Sequence, residues 1–172
     1  MIRFSTAWLF AAALLAAGLP APLRAAEVRA TFQVKLEVGN VCTLDKGADV
    51  DFGTITPSGS HQTYTASGSL VVRCTLHTPY TIRLDGGLHG TVTDRKMRNT
   101  SGQTISYQLH SGTLGQCGSW NPAQWGDGSG GSCVFSATNH ASEQTIAVAG
   151  QTTLSTAEGG AYSDTVTATI TY

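Results

Sequence analysis

Residues 27–38, EVRATFQVKLEV, alternate polar and apolar side chains without a break. The apolar members are Val28, Ala30, Phe32, Val34, Leu36 and Val38. A period of two predicts a β-strand with one buried face. The stretch is longer than the about five or six residues that are usual for a strand in a small domain. It also lies at the start of the predicted mature chain, where most domains fray. The sequence therefore raises the question of whose core this apolar face fills.

The residues before this stretch predict a secretory signal peptide. Residues 1–3 supply a short positive region, and residues 4–19 form an apolar run without a charge. We expect cleavage after Ala25 or after Ala26. A membrane anchor is the alternative, but the run is shorter than the roughly 20 residues that a spanning helix needs. No later segment is long and apolar enough to span, so we expect a mature protein that is soluble or assembled outside the cytoplasm.

Composition and charge narrow the class of the mature chain. Removing residues 1–26 from the 172 leaves 146, enough for one domain with a real core. Arg3 and Arg24 leave with them, so 8 of the 10 basic residues face 11 acidic ones, a net charge of −3. No basic face exists to attract nucleic acid. Because the chain is rich in Gly, Thr and Ser and has no helical period, we predict an all-β protein.

Four cysteines in a predicted secreted chain favour disulfides. Three pairings are possible, and we favour Cys42–Cys74 together with Cys117–Cys133. The second pair would close the loop GSWNPAQWGDGSGGS, which has little ability to form regular structure by itself. Closure of such a loop is worth about 3 kcal/mol in the chain-entropy model. Zinc is the alternative ligand, but the sequence contains no Cys-x-x-Cys pair.

Short strands separated by turn signals predict a β-sandwich of immunoglobulin type. We expect a turn at residues 45–47 and an exposed basic strand around Met97. The remaining strands are expected at residues 50–55, 68–76, 80–84, 104–110, 143–151 and 161–172. A strong strand at one end and a spare alternating strand at the other suggest a sandwich that lacks its last strand. The spare strand of another copy could fill the resulting groove by β-augmentation.

No catalytic or metal-binding constellation emerges from the sequence. GDGSGG, residues 126–131, superficially resembles the nucleophile loop of chymotrypsin-like proteases, but the extra Gly128 and the missing partners favour a glycine-rich turn around Ser129. Asp49 and Asp51 are expected as exposed carboxylates rather than an acid–base pair. The histidines have no metal-ligand spacing and are expected at the surface: His61, His77, His89, His110 and His140.

The aromatic and acidic residues of the turns have simpler expected roles. Asp85 and Asp164 sit at a turn and at a strand entry, where a carboxylate caps backbone groups. Trp125 is expected as a plug of the core. Trp120 lies in the same cysteine-bracketed loop and is a possible surface contact, since exposed aromatic residues often mark binding.

Several stretches in this order resemble the spore coat protein U domain family, the pilin subunits of archaic chaperone–usher pili. They are FQVKLEVGNVCTL, DFGTI, GSLVVRCTLHTPYTIRLDGG, RKM, ISYQL, WGDGSGG and GGAYSDTVTATITY, and they extend over essentially the whole mature chain. The resemblance implies an incomplete immunoglobulin-like sandwich that lacks its last strand. In that family a periplasmic chaperone lends the missing strand, and an outer-membrane usher exchanges it for the N-terminal strand of the next subunit.

Carried onto this sequence, the resemblance divides the chain into a signal peptide (1–26), a donor or first-strand segment (27–38) and a pilin domain (39–172). The donor residues would be Val28, Ala30, Phe32, Val34, Leu36 and Val38, although the point where donor gives way to the subunit's own first strand is open. Cys42 and Cys74 match the family's disulfide positions, whereas Cys117 and Cys133 look like an addition.

The expected function is that of a structural subunit of a surface-adhesive pilus, secreted through the periplasm to the cell surface, where it supports attachment and biofilm formation. Its expected partners are other copies of itself or related pilins, the chaperone and the usher. It would need no cofactor and would not be an enzyme. The alternative is a secreted or pilus-tip binding module, a lectin-like adhesin, that does not polymerise.

Overall fold

The computed structural model describes residues 24–112 and 123–172, and in these residues the chain is all-β, as predicted. The strands are β1 (Cys42–Ala48), β2 (Gln62–Cys74), β3 (Pro79–Leu84), β4 (Arg95–Arg98), β5 (Thr104–Ser111), β6 (Phe135–Thr138), β7 (Gln144–Leu154) and β8 (Ala168–Thr171). One short 3₁₀ turn, Ser129–Gly131, is the helical element of this part. No helix here is long and apolar enough to cross a membrane.

The strands form two antiparallel sheets. The first has the order β1-β2-β7-β5-β4, and the second has the order β6-β3-β8. The longest strands, β2 and β7, pair along most of their length at the centre of the first sheet. The Cys42–Cys74 disulfide, which joins paired residues of β1 and β2, is present as predicted. We call the end of the sandwich that carries it the disulfide end.

Because polar and apolar residues alternate along the strands, each sheet has one apolar face, and the two apolar faces pack together in a common core. The first sheet contributes Val72, Tyr107, Leu109, Ile146 and Val148, and the second contributes Tyr80, Ile82, Leu84 and Phe135. Trp125 is 0% exposed, and its ring centroid lies 5.5 Å from that of Phe135. Its indole N–H donates to the carbonyl of Ile82 at 2.9 Å. The prediction that Trp125 plugs the core is therefore confirmed.

Two local predictions are wrong. Residues 45–47 are not a turn but part of β1, where the register against β2 shifts between Lys46 and Ala48. A bulge of this kind accommodates a glycine inside a strand, and a side chain at Gly47 would collide with that of Ser69. The basic strand around Met97 is β4, as expected, but it is not wholly exposed, because Met97 is half-buried and Arg95 is fully buried.

Arg95 can be buried because its guanidinium donates hydrogen bonds to backbone carbonyls of the neighbouring loops. It donates to the carbonyl of Asp85 from Nε at 2.8 Å and from Nη2 at 2.6 Å, and to that of Trp125 at 2.9 Å. Burial lowers the pKa of Arg95, and the nearby charges of Asp85 and Asp164 act in the opposite direction. The side chain thus ties the loops after β3 and before β6 to β4.

Two sequence predictions fall on residues outside the described part. Cys117 lies there, so its pairing with Cys133 stays a prediction, although Cys133 itself is not a free cysteine. Trp120 also lies outside the described residues, and its role as a surface contact stays a prediction.

Replacing Trp125 with Ala should destabilise the sandwich by about 3–5 kcal/mol, because the change removes a large core side chain and leaves the carbonyl of Ile82 without its donor. Urea denaturation of the chain from residue 27 onwards would measure the loss. Leu88→Ala is the matched control, since Leu88 is 71% exposed and should cost under about 0.5 kcal/mol. Equal stability of the two variants would contradict a core role for Trp125.

Candidate functional site

An open groove runs along the sandwich between residues 46–57 and residues 157–168. Two cavities of about 330 and 510 Å³ make up the groove, and both are lined by Val50, Phe52, Met97 and Tyr162. The floor is provided by apolar side chains of both sheets: Leu70, Leu84, Ile105, Leu109, Val148 and Leu154. The groove therefore exposes part of the core between two extended walls.

The sequence of each wall predicts a strand. In this structure, however, neither wall pairs with a strand on the side that faces the groove. We predicted strands at residues 50–55 and 161–172, but the structure forms none at residues 49–61, and β8 begins only at Ala168. Side-chain alternation persists nevertheless, since the even-numbered residues from 162 to 170 are half-buried and the odd-numbered ones are exposed. In the wall at residues 162–170 the alternation of a strand thus persists, whereas in residues 50–55 Gly53 adopts φ 65° and its N–H donates to Asp51 Oδ1, a local turn that interrupts the strand.

The backbone hydrogen bonds make this point directly. In the described part of the chain, residues 50–56 and 164–166 make no hydrogen bond to another backbone group. Ser163 exchanges both of its backbone hydrogen bonds with Arg98, at 2.9 and 3.2 Å, and the carbonyl of Thr167 accepts from the N–H of Asp85 at 3.0 Å. Because alternate residues of a strand direct their backbone groups to opposite edges, those of Asp164 and Val166 point toward the groove.

On the inward face of the wall, the polar side chain of Asp164 lies between those of Tyr162 and Val166. Its Oδ1 accepts from the N–H of Leu88 at 2.8 Å, and its Oδ2 accepts from the hydroxyl of Tyr107 at 2.6 Å. Gly87, at φ 74°, passes so close that a side chain there would collide with the Asp164 carboxylate. The expected capping role of Asp164 is confirmed.

Asp85 caps backbone groups as well, as predicted. Its Oδ1 accepts from the N–H groups of Gly87 and Thr167, both at 2.9 Å. These bonds from the backbone lower the pKa of Asp85 despite partial burial, which acts in the opposite direction. Asp85 and Asp164 together hold the wall at residues 164–167 against the loop that follows β3.

The alternating segment at the start of the chain forms no strand in this structure, since no strand occurs in residues 24–41. Val28, Phe32, Val34 and Leu36 are 94, 88, 87 and 89% exposed, and Ala30 is exposed as well. A strand needs a neighbour to hydrogen-bond, and an alternating pattern alone does not provide one. The assignment of these residues as a donor strand stays a prediction.

The chain is attached to the sandwich from Gly39 onwards. The Thr75 N–H donates to the carbonyl of Val41 at 2.9 Å, and the Val41 N–H donates to the Thr75 hydroxyl at 3.2 Å. That hydroxyl in turn donates to the carbonyl of Gly39 at 3.2 Å. Val38, just before this attachment, is 69% exposed. Residues 39–41 thus fix the point at which the chain leaves the disulfide end.

The other candidate residues do not assemble into a reactive site. The N–H of Ser129 donates to Asp127 Oδ1 at 2.8 Å, which is the hydrogen bond of a tight turn and lowers the pKa of Asp127. Asp49 and Asp51 are exposed; Asp49 pairs with Lys46 at 3.1 Å, and Asp51 caps Gly53. Among the described residues, no group of three or more His, Cys, Asp or Glu side chains is arranged to hold a metal ion.

The sequence did not anticipate a pair of histidines at the disulfide end. His77 and His140 have ring centroids 5.7 Å apart in an edge-to-face arrangement, and both residues are exposed. His77 has φ 62°, and its N–H donates to the carbonyl of Asn139 at 2.7 Å. They are 63 residues apart in the sequence, so spacing could not have revealed the pair.

Two antiparallel sheets facing a common core define the chain as an immunoglobulin-like β-sandwich. Within that class, the sequence matches the family described as Spore Coat Protein U domain over residues 28–169, and the chain belongs to this family. The resemblance drawn from the sequence motifs is thereby confirmed. A search of the curated proteins finds no match.

Solved structures with a similar fold come from pilus assembly complexes. One is the CsuC–CsuE chaperone–tip adhesion subunit pre-assembly complex from archaic chaperone–usher Csu pili of Acinetobacter baumannii, with a TM-score of 0.53 and 24% identity. The alignment covers 78% of this chain and 40% of that one, so this chain spans about two-fifths of the matched length. Another is a chaperone–tip adhesin complex of CFA/I fimbriae biogenesis, with a TM-score of 0.49, 13% identity and coverage of 76% and 41%.

The buried Tyr107 hydroxyl predicts a loss of stability at alkaline pH. Burial and the hydrogen bond to Asp164 raise the pKa of Tyr107 above its ordinary value of about 10. Above about pH 10 the unfolded chain releases this proton while the folded chain keeps it, so the free energy of unfolding falls as pH rises, by at most about 1.4 kcal/mol per pH unit. Below that pH the group contributes no slope.

The test compares Tyr107→Phe with the natural chain by urea denaturation at about pH 9 and about pH 11. The variant lacks the ionising group, so its stability should fall less between the two values. Tyr80→Phe is an informative companion, because burial also raises the pKa of Tyr80 and its removal should flatten the profile in the same direction. Identical pH profiles for Tyr107→Phe and the natural chain would contradict the prediction.

Proposed function

We propose that this protein is a structural subunit of a surface-adhesive pilus, in which the residue 27–38 segment of one copy fills the groove of the next by donor-strand exchange. The observation that carries the proposal is the pair of groove walls, residues 50–56 and 164–166, whose backbone groups have no backbone partner. An inserted strand would pair with both walls at once and would cover the apolar floor between them. The exposed, alternating segment has the pattern that such a strand needs.

The energetics are sufficient for a durable fibre. Each main-chain hydrogen bond of the inserted strand would contribute about 0.5–1.5 kcal/mol net. Burial of Phe32, Val34 and Leu36 would add roughly 1.5–3 kcal/mol for each side chain. The sum is comparable with the whole stability of a small domain, about 5–15 kcal/mol. Subunits joined in this way would separate slowly.

The positions of the groove and of the attachment point favour one direction of insertion. The donor segment leaves its sandwich at the disulfide end, through residues 39–41. Residues 157–168 run toward that same end, since Thr171 pairs with Thr81 near the start of β3. A strand inserted antiparallel to residues 157–168 places the donor's disulfide end against the opposite end of the acceptor. Copies then add head to tail, whereas the parallel orientation would crowd several disulfide ends together.

An open groove with unpaired backbone edges is an aggregation hazard before assembly. A periplasmic chaperone that occupies the groove would remove this hazard, and the similar Csu structure is a complex of a chaperone with a pilus subunit. We therefore include a chaperone and an outer-membrane usher among the partners, together with other copies or related pilins. The protein would be exported to the cell surface, would support attachment and biofilm formation, and would perform no catalysis.

A second function is a surface-binding module of the lectin-like adhesin type that does not polymerise. The observation in its favour is that the similar Csu structure contains a tip adhesion subunit. The two functions differ in the use of residues 27–38. A polymerising subunit inserts them into another copy, whereas a stand-alone module does not need them for assembly.

Replacing Phe32 with Asp should abolish polymer formation, because a carboxylate would enter an apolar groove. Thr31→Asp is the matched control: it adds the same charge one position away, on the face of the strand that stays in solvent, and should leave assembly intact. The readout is the ladder of unheated samples on an SDS gel, which should collapse on boiling. A variant lacking residues 27–34 should give no ladder.

The assay is run with the cognate chaperone and usher co-expressed, so that a missing ladder reports on the donor segment and not on missing partners. A chaperone complex formed by the Phe32→Asp variant would show that its own sandwich is intact. Ladders of equal yield from Phe32→Asp and the natural chain would refute the donor role. A folded monomer from every form, the natural chain included, would favour the binding module.

A further inference from the structure

A strictly alternating donor strand fits an apolar groove equally well after any shift of two residues, so something else must select its register. Along the half-buried face of the wall from Tyr162 to Ala168, the distinguishing feature is the carboxylate of Asp164. It is half-buried in the wall, and its neighbours on the same face, Tyr162 and Val166, present a phenol ring and an aliphatic side chain. Both of its oxygens are engaged, by Leu88 and by Tyr107, so the carboxylate is fixed at one place along the groove.

The donor segment also has a single distinguishing position. Its apolar face carries five large side chains and one small one, Ala30. Placing a branched or aromatic side chain over a carboxylate removes water from the charge without supplying a hydrogen bond, which is unfavourable. Among the side chains on this face, the methyl group of alanine removes the least water from the carboxylate. Of the six inward positions, Ala30 is therefore the one that suits Asp164.

We propose that Asp164 determines the register of the inserted strand by accepting only a small residue opposite it, so that Ala30 of the donor copy faces Asp164 of the acceptor. This inference rests on the proposed function and deepens it. The partner strands that the groove accepts would be alternating segments with a small residue two positions before a large aromatic one. The natural chain supplies that order as Ala30 and Phe32.

The neighbouring contacts in this register are compatible in size. In an antiparallel pair the numbers of opposed residues have a constant sum, so Ala30 opposite Asp164 brings Val28 to Val166 and Phe32 to Tyr162. Phe32 then lies where Phe52 and Met97 line both cavities. Val34 reaches Gly160, which has no side chain and lines the same cavity as Ile105 and Leu154. A shift of two in either direction places Val28 or Phe32 over the carboxylate.

Engineered disulfides between neighbouring copies can report which donor residue lies opposite which residue of the groove wall. The backbone groups of Asp164 point toward the groove, so Ala30–Asp164 would be a hydrogen-bonded pair, and the flanking Thr31–Ser163 and Arg29–Thr165 pairs would be non-hydrogen-bonded. Opposed Cα atoms of such pairs lie about 4.5 Å apart, which is within the range for a disulfide. These positions are exposed on the solvent face, so cysteines there leave the groove and Asp164 untouched.

The test introduces Thr31→Cys with Ser163→Cys, and separately Arg29→Cys with Thr165→Cys, into the full chain. Both should give ladders that survive boiling without reductant and collapse with it. Thr31→Cys with Thr165→Cys, and Thr31→Cys with Ala161→Cys, are matched controls displaced by two residues and should remain unlinked. The single-cysteine variants control for exchange with the natural cysteines. Cross-linking of either displaced pair in place of the first would overturn the proposed register.

Substitutions in the donor segment alone test whether the position opposite Asp164 accepts only a small side chain. Ala30→Leu should reduce the yield of polymer by about tenfold or more, whereas Val34→Leu, which enlarges the strand opposite Gly160, should reduce it far less. Equal yields from the two variants would overturn the role of Asp164. A natural chain that forms no ladder would instead overturn donor-strand exchange itself, so failure of the register and failure of the proposed function give different results.

Discussion

The structure depends on the requirement that buried backbone N–H and C=O groups be paired. Most of the sandwich satisfies this requirement through its two sheets, but residues 50–56 and 164–166 do not. Both stretches border the same groove; residues 164–166 keep the side-chain alternation of a strand, whereas the turn at Gly53 interrupts it in residues 50–56. Two stretches without backbone partners on either side of one groove are the arrangement with which an inserted strand could pair. This arrangement is the physical basis of the proposed strand insertion.

The rest of the fold is built so that this groove can stay open without unfolding the domain. The core that contains Trp125 has stabilising interactions of its own, including the indole hydrogen bond to Ile82, and Val50, Val166 and Ala168 of the two walls pack against this core. Arg95 ties the loops beside it to β4 through carbonyl oxygens, and the Cys42–Cys74 disulfide joins β1 to β2. Asp85 and Asp164 then hold the last wall in place.

Sequence patterns predicted the strands whose partners lie in the same chain, such as β2, β5 and β7, because alternation and pairing agree there. They failed at residues 50–55, where no strand pairs with the segment and Gly53 adopts a turn conformation at φ 65°. They also failed at Arg95, since the carbonyls that bury it come from loops distant in sequence. The floor of the groove could not be foreseen either, because it depends on how the two sheets close.

In the proposed register, Asp164 is a polar residue in a largely apolar surface that would serve specificity at some expense of affinity. A groove lined only by apolar side chains would bind an alternating strand in several registers of nearly equal energy, because each shift of two residues again buries an apolar face. A fixed carboxylate removes that degeneracy, since it penalises the registers that place a large side chain over it. Its own hydrogen bonds to Leu88 and Tyr107 keep it in place before any strand arrives. The same two bonds attach the wall to the sandwich. One side chain therefore holds the edge that a strand would pair with, and the same side chain would set the register of that strand.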